Sequence, residues 1–170
     1  MSIIIQTLWV GNPLTVIEQL SLTSFVAHGH EVHLYTYGDV GDIPRGVITR
    51  NAAEVLPESS VFTKYSGSYA RFSDWFRWKL LNERGGYWID TDVICLKPFD
   101  FTETLVFGRE SDQQINGAVI AVPPGHKLAE LMISTAIAPL STQEYDDAKT
   151  RRRKFRARLL RRGDKAVKWG

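Results

Sequence analysis

The first forty residues read strand, helix, strand, and that order limits the possible folds more than any other stretch. Ser2-Ile3-Ile4-Ile5-Gln6-Thr7-Leu8-Trp9-Val10 is β-rich and almost continuously apolar up to Gly11-Asn12-Pro13, the pattern of a buried strand ending in a turn. Pro13 suits the first turn of a helix. From Leu14 to His28 the apolar positions Val16, Ile17, Leu20, Leu22, Phe25 and Val26 recur at helical spacing, and Gly29 suits the end. Glu31 to Tyr37 is again β-rich. A β-α-β unit places its strands parallel in an α/β sheet. Ligands of such sheets bind beyond the carboxyl ends of the strands, so Leu8, Trp9, Tyr35, Thr36 and Tyr37 are candidates for a nucleotide pocket. Trp9 can stack on a base or sit at the rim of the core.

Further along, Gly38 to Arg45 has turn chemistry, Val47 to Thr49 predicts a short strand, and Asn51 to Leu56 a helical turn before Pro57. Glu58 to Ser68 is polar and glycine-containing, a candidate substrate entrance. Trp75, Phe76, Leu80 and Leu81 predict an amphipathic helix up to Arg84. Gly85-Gly86 stops it, and Tyr87-Trp88-Ile89 has the content of a short strand. Val93 to Leu96 reads as a further strand, as do Leu105 to Gly108 and Ile115 to Val122. Two helices are predicted after that, over His126 to Ala138 and Thr142 to Arg162.

The short strand 87–89 delivers Asp90 and Asp92. Residues i and i+2 point the same way on an extended chain, and at its end the second can swing out toward a ligand. Two carboxylates facing one volume call for a shared proton or a hard divalent cation with oxygen ligands, such as Mg²⁺ or Mn²⁺. The bland alternative is a turn in which one of them caps the next element.

Composition fits one core: 44% of the 170 residues are hydrophobic and 11% aromatic. No run approaches the roughly 20 apolar residues of a membrane span. Ser2 to Val10 lacks the leader of a signal peptide, so a cytoplasmic location is expected, with membrane association on the cytoplasmic face as an option. Cys95 is the single cysteine, which leaves no disulfide or thiolate cluster and reads as a buried strand position. His28, His30, His33 and His126 are not spaced as a metal site. Charge is divided sharply. Residues 1–150 carry 11 Lys and Arg against 18 Asp and Glu, whereas residues 151–170 carry 10 against 1. The chain is therefore expected to comprise a domain over 1–150 and a basic helix or tail over 151–170. That tail is either a solvated helix or a contact for anionic lipid through 151–162, with Phe155, Leu159 and Leu160 as shallow anchors. No stacking or base-reading motif accompanies the charge, so nucleic acid is not expected.

Arg71-Phe72-Ser73-Asp74-x-x-Arg77, then Gly85-Gly86-Tyr87-Trp88-Ile89-Asp90-Thr91-Asp92 and Pro98, resembles the DXD-containing sugar-binding region of glycosyltransferases. It is most similar to the bacterial capsular-polysaccharide and Och1-like α-glycosyltransferases (family 32-like) and, more distantly, to the glucosylating toxins. The resemblance covers about residues 3 to 135 and implies an α/β fold of the GT-A type. It implies that Asp92 ligates Mn²⁺ or Mg²⁺ on the donor diphosphate, with Asp90 contacting ribose or donor sugar and reaching the metal through water. On the same basis Asp74 and Arg77 serve donor-sugar hydroxyls or diphosphate, and Arg71 similar charge work. Leu8, Trp9, Ser73, Trp88 and Thr91 complete the donor side, Trp9 stacking on the base. Asn116-Gly117 resembles a segment near the acceptor. The candidate catalytic residues are then Asp74, Asp90 and Asn116. The implied reaction is a retaining transfer from a UDP- or GDP-sugar to a glycan or lipid-linked acceptor, as in polysaccharide biosynthesis. Family members carry a further diphosphate contact and a lid with a histidine and a tryptophan downstream, so the donor half of the site is the part expected here.

Such transfer needs no nucleophilic triad. Negative charge grows on the leaving diphosphate, where a metal and an arginine serve, while carboxylates stabilise the oxocarbenium-like sugar. Two other readings remain. Strand-Asp90-Thr91-Asp92-Val93 also resembles a haloacid-dehalogenase-like phosphatase, with Asp90 as nucleophile, Asp92 as general acid and Asp146-Asp147 imitating its later acidic pair. The third is a nucleotide-sugar-binding protein without turnover.

Overall fold

Strands β1 (Ile4–Leu8), β2 (Glu31–Thr36), β3 (Val47–Asn51), β4 (Tyr87–Ile89), β5 (Val106–Ser111) and β6 (Gln114–Ala121) form one sheet in the order β3-β2-β1-β4-β6-β5. The first four are mutually parallel, and β6 runs antiparallel to both β4 and β5. These elements come from a computed structural model that describes residues 3–11, 13–63 and 67–159. Ser2, Asn12, residues 64–66 of the expected entrance loop, and the tail from Leu160 onward lie outside the described residues.

Helix α1 (Val16–Ala27) starts two residues later than its apolar spacing indicates, because Thr15 forms a capping box. The Thr15 hydroxyl accepts from Ile17 N, and Thr15 N donates to Glu18 Oε2 at 2.6 Å. Helix α2 (Ala70–Arg84) ends at Gly85, where φ is 66°. Space as well as φ demands glycine here: a Cβ on Gly85 would lie 2.8 Å from Pro124 Cδ, and one on Gly86 2.6 Å from Gln6 Nε2. Gln6 Nε2 in turn donates to Gly85 O at 2.7 Å, fastening the end of α2 to β1.

Alternation along β4 sorts its residues between two cores. Tyr87 and Ile89 join Ile5, Val32, Leu34 and the α1 residues Leu22 and Phe25 on one face. Trp88 joins Phe72, Phe76, Leu80 and Leu81 of α2 on the other, with Ala129 of helix α3 (Lys127–Ile137). At roughly 25 cal/mol per Å² of apolar surface removed from water, these two layers are the main stabilising term. The α/β architecture expected of the chain is thus present, with helices on both faces of a mainly parallel sheet.

Two predicted elements differ. Val93 to Leu96 is not a strand: Ser21 Oγ donates to Val93 O at 2.6 Å and Cys95 N to Ser24 Oγ at 2.8 Å, so serines of α1 take the backbone groups a sheet would have used. Cys95 is buried as expected, but in a loop, and burial pushes its thiol pKa up. The last helix begins at Ala148 rather than Thr142, giving α4 (Ala148–Leu159). Residues 139–147 turn instead, because Asp146 accepts from Gln143 N and Asp147 from Thr150 N.

Candidate functional site

Asp90 follows the last residue of β4, and the same alternation that turns Trp88 toward α2 turns Asp90 there too. Its backbone N–H donates to Ala118 O at 2.8 Å, so β6 holds the chain one residue beyond the strand. Two donors meet on one carboxylate oxygen: Trp88 Nε1 and Arg77 Nη2 each reach Oδ1 at 2.8 Å. Both bonds end on Oδ1, which leaves Oδ2 for a ligand. The peptide then turns, Val93 N donating to Asp90 O at 3.2 Å, and Asp92 projects outward and exposed. Thr91, half-buried, lies between them.

Arg77 is 7% exposed. It lies over the Trp88 ring at 5.0 Å from Cζ to the centroid, an arrangement that favours a desolvated guanidinium. Nη1 donates to Gly117 O, and Nη2 also approaches Asp74 Oδ1 at 3.4 Å. Its guanidinium thus works inside the protein, between helix, strand and β6, and bears on the site through Asp90. Trp88, 1% exposed, does the same through its indole N–H. The counterpart on β6 is Gly117, singled out in the sequence only as part of the Asn116-Gly117 segment: a Cβ there would stand 2.5 Å from Arg77 Nη1. Irregular pairing of β5 with β6 makes this possible. Phe107 is level with Ile120 and the next residue, Gly108, with Asn116, so a bulge sets Gly117 to Val119 out of the β5 ladder and aims the Gly117 carbonyl at Arg77. Asn116 stabilises the bulge by accepting from Ala118 N at 2.6 Å.

The other half of the site is a cleft of about 390 Å³ beyond the ends of β1 and β2, lined by Trp9, Val10, Tyr37, Glu58, Val61 and Tyr69 among others. Trp9 is fixed through its backbone, donating to Tyr35 O at 3.0 Å. Tyr37 donates its hydroxyl to Leu56 O at 2.7 Å, and burial, helped by Glu58, pushes its pKa up to about 12. It is a neutral phenol at any working pH. The cleft and the carboxylates share one edge of the sheet, since β1 and β4 are neighbours with Gln6 level with Trp88. Leu8, Tyr35 and Thr36 of the expected pocket are buried. Arg71, Ser73 and Asp74 lie half-buried on the first turns of α2. Glu58 and Val61 belong to the segment expected at the entrance. Asp39, which also lines the cleft, and Tyr69 were not singled out by the sequence; the aromatic just before α2 was the available signal.

The donor set suits a hard cation. Asp92 and Asp90 Oδ2 offer carboxylate oxygens, the ligand type of such a cation, while among the described residues no cluster of three or more His, Cys, Asp or Glu occurs. Two carboxylates alone do not fill such a shell, so an ion of the Mg²⁺ or Mn²⁺ type would need further oxygens from water or a ligand. Asp146 and Asp147 do not join this site: the first pairs with Lys154 and the second caps α4.

A mainly parallel sheet of this order, with an acidic pair ending its fourth strand beside an aromatic cleft, is a GT-A-like arrangement. Residues 42–111, which include α2, β4 and both aspartates, match the family model of the glycosyltransferase sugar-binding region containing the DXD motif. Among solved structures the chain is similar to the PaToxG glycosyltransferase, at 15% identity and a TM-score of 0.60, over 97% of this chain and 72% of that one. Likeness at that identity speaks for the fold alone. No curated protein matches the chain in sequence. No helix among the described residues is long and apolar enough to cross a membrane.

Proposed function

We propose that the protein is a metal-dependent glycosyltransferase that takes a sugar from a UDP- or GDP-linked donor. The observation that carries this reading is the shared edge of Trp9 with its aromatic cleft and the Asp90–Asp92 pair. In that reading the base stacks on Trp9, the diphosphate runs along the ends of β1 and β4, and Asp92 with Asp90 Oδ2 holds the divalent cation. A divalent cation held by those carboxylates would offset the charge that grows on the leaving diphosphate. Asp90, its Oδ1 locked by Arg77 and Trp88, presents a carboxylate of fixed orientation to the sugar. Asp74, on the first turns of α2, hydrogen-bonds donor-sugar hydroxyls. Asn116 and Gly117, held on the β6 bulge, line the side from which an acceptor hydroxyl approaches.

Calorimetry of UDP- and GDP-sugars in Mn²⁺ tests the assignment. The wild type binds at least one donor in a metal-dependent way, and Asp92→Ala and Asp90→Ala each weaken it by about tenfold or more, the scale of a lost metal ligand. Unchanged metal-dependent binding in both variants overturns the site. Release of phosphate from simple phosphomonoesters, without donor binding, overturns the function.

A further inference from the structure

The outward side of α4 carries charge and apolar side chains that the fold does not use. Its inward side fixes how the helix is turned. Lys154 Nζ donates to both oxygens of Asp146, at 2.9 and 2.8 Å, and to Ser141 O at 3.0 Å, and Ala157 is buried beside it. Arg151 adds bonds to the carbonyls of Asp146 and Glu144. At 3.6 residues per turn, Phe155 and Leu159 then stand one above the other roughly opposite that buried face. They are 60% and 71% exposed. Arg152 and Arg156 lie on the same outward side, within one turn of Phe155.

Seven Lys and Arg and no acid occur between Ala148 and Leu159. Among the described residues Lys154 alone of them forms an ion pair. Arg151 and Arg158 are held by oxygens of the 142–146 turn, whereas Arg152 and Arg156, beside the exposed Phe155 and Leu159, have no hydrogen bond or ion pair among the described residues. We propose that this face binds an anionic lipid surface, with Phe155 and Leu159 entering the headgroup layer and Arg152 and Arg156 meeting lipid phosphates and carboxylates. Charge alone would suit any polyanion. The apolar pair in the middle of the cations selects lipid, because an aliphatic side chain gains by leaving water for acyl chains and gains little on a phosphate backbone. The proposal stands apart from the donor site, so Asp92→Ala leaves it intact.

The full chain is cosedimented with phosphatidylcholine vesicles with and without phosphatidylserine, at low and raised salt. Binding is expected with phosphatidylserine only, and salt weakens it. Arg152→Glu/Arg156→Glu lowers binding by about tenfold or more, because each cation near an anionic surface adds attraction. Phe155→Ser/Leu159→Ser lowers it by a similar factor of about ten through lost insertion. All four positions are exposed, and circular dichroism with thermal melting checks that the variants remain folded. Equal binding to neutral vesicles, or none to phosphatidylserine, overturns the proposal. So does binding to duplex RNA that is tighter than to vesicles and indifferent to the serine changes.

Discussion

Replacing Arg77 by Met tests whether α2 holds the carboxylate that ends β4. The side chain is 7% exposed, so its charge has lost most of its water. Met keeps the apolar stem and removes the bonds to Asp90 Oδ1 at 2.8 Å, to Gly117 O, and the longer approach to Asp74 at 3.4 Å. Hydrogen bonds to charged groups contribute roughly 1.5–3 kcal/mol each before offsets. Three offsets apply. The guanidinium is no longer desolvated, its buried Nε, which has no hydrogen-bond partner, disappears, and Asp90 is 34% exposed, so water can replace Arg77. The expected net loss is about 2–3 kcal/mol. At roughly 2–4 °C per kcal/mol for a chain of this size, Tm falls by about 4–12 °C. Asp90→Asn alone costs about 1 kcal/mol, because the amide oxygen still accepts from Trp88 or Arg77. In a double-mutant cycle followed by urea unfolding, the two changes couple by about 1 kcal/mol or more. A Tm for Arg77→Met within about 1 °C of wild type, or strictly additive effects, would refute the reasoning.

Gly117→Ala acts on the same contact from the other side: a Cβ 2.5 Å from Arg77 Nη1 displaces the guanidinium, and a loss of about 1–3 kcal/mol is expected in urea unfolding. Trp9→Ala weakens donor binding by about ten- to a hundredfold in calorimetry, the scale of one base–aromatic stack, and circular dichroism checks that the variant stays folded, because the half-buried ring also packs against the core. Lys154→Met strands Asp146 and destabilises the protein by about 2 kcal/mol or more in chemical unfolding, since the pair's side chains are 5% and 3% exposed. Burial alone would raise the Asp146 pKa, but the Gln143 N–H and the Lys154 ammonium outweigh it and hold the carboxyl below its ordinary value. The stabilisation of that pair is therefore present above about pH 4 and lost as pH falls through the lowered value. Acid should release α4, read as lost helical circular dichroism, and Lys154→Met should flatten that step.

Much of the edge that carries the site can be read from local pattern. The strand–helix–strand opening, the double glycine after Arg84 and the aspartates at 90 and 92 are short-range features, because backbone period, cap chemistry and φ > 0 are properties of neighbouring residues. The misread elements show where local pattern stops. Val93 to Leu96 has strand composition, yet Ser21 and Ser24, some seventy residues earlier, take its polar groups. Thr142 to Asp147 continues a helical run, yet two aspartates bond to the backbone first.

Amino-acid order alone determined the α/β class, the helix–glycine–strand unit and the pair of carboxylates that ends it. Tertiary structure alone decided what each carboxylate is free to do. Asp90 loses one oxygen to Arg77 and Trp88, Asp92 remains in water, and Arg77 is turned inward by a carbonyl forty residues away on a bulged strand. It also decided that Lys154, alone among the described residues of the basic run, is internal, which leaves Phe155 and Leu159 facing out. The physical reason is the same in both places: the direction of a buried charge is set by the partner that compensates it, and that partner lies on another element of the fold.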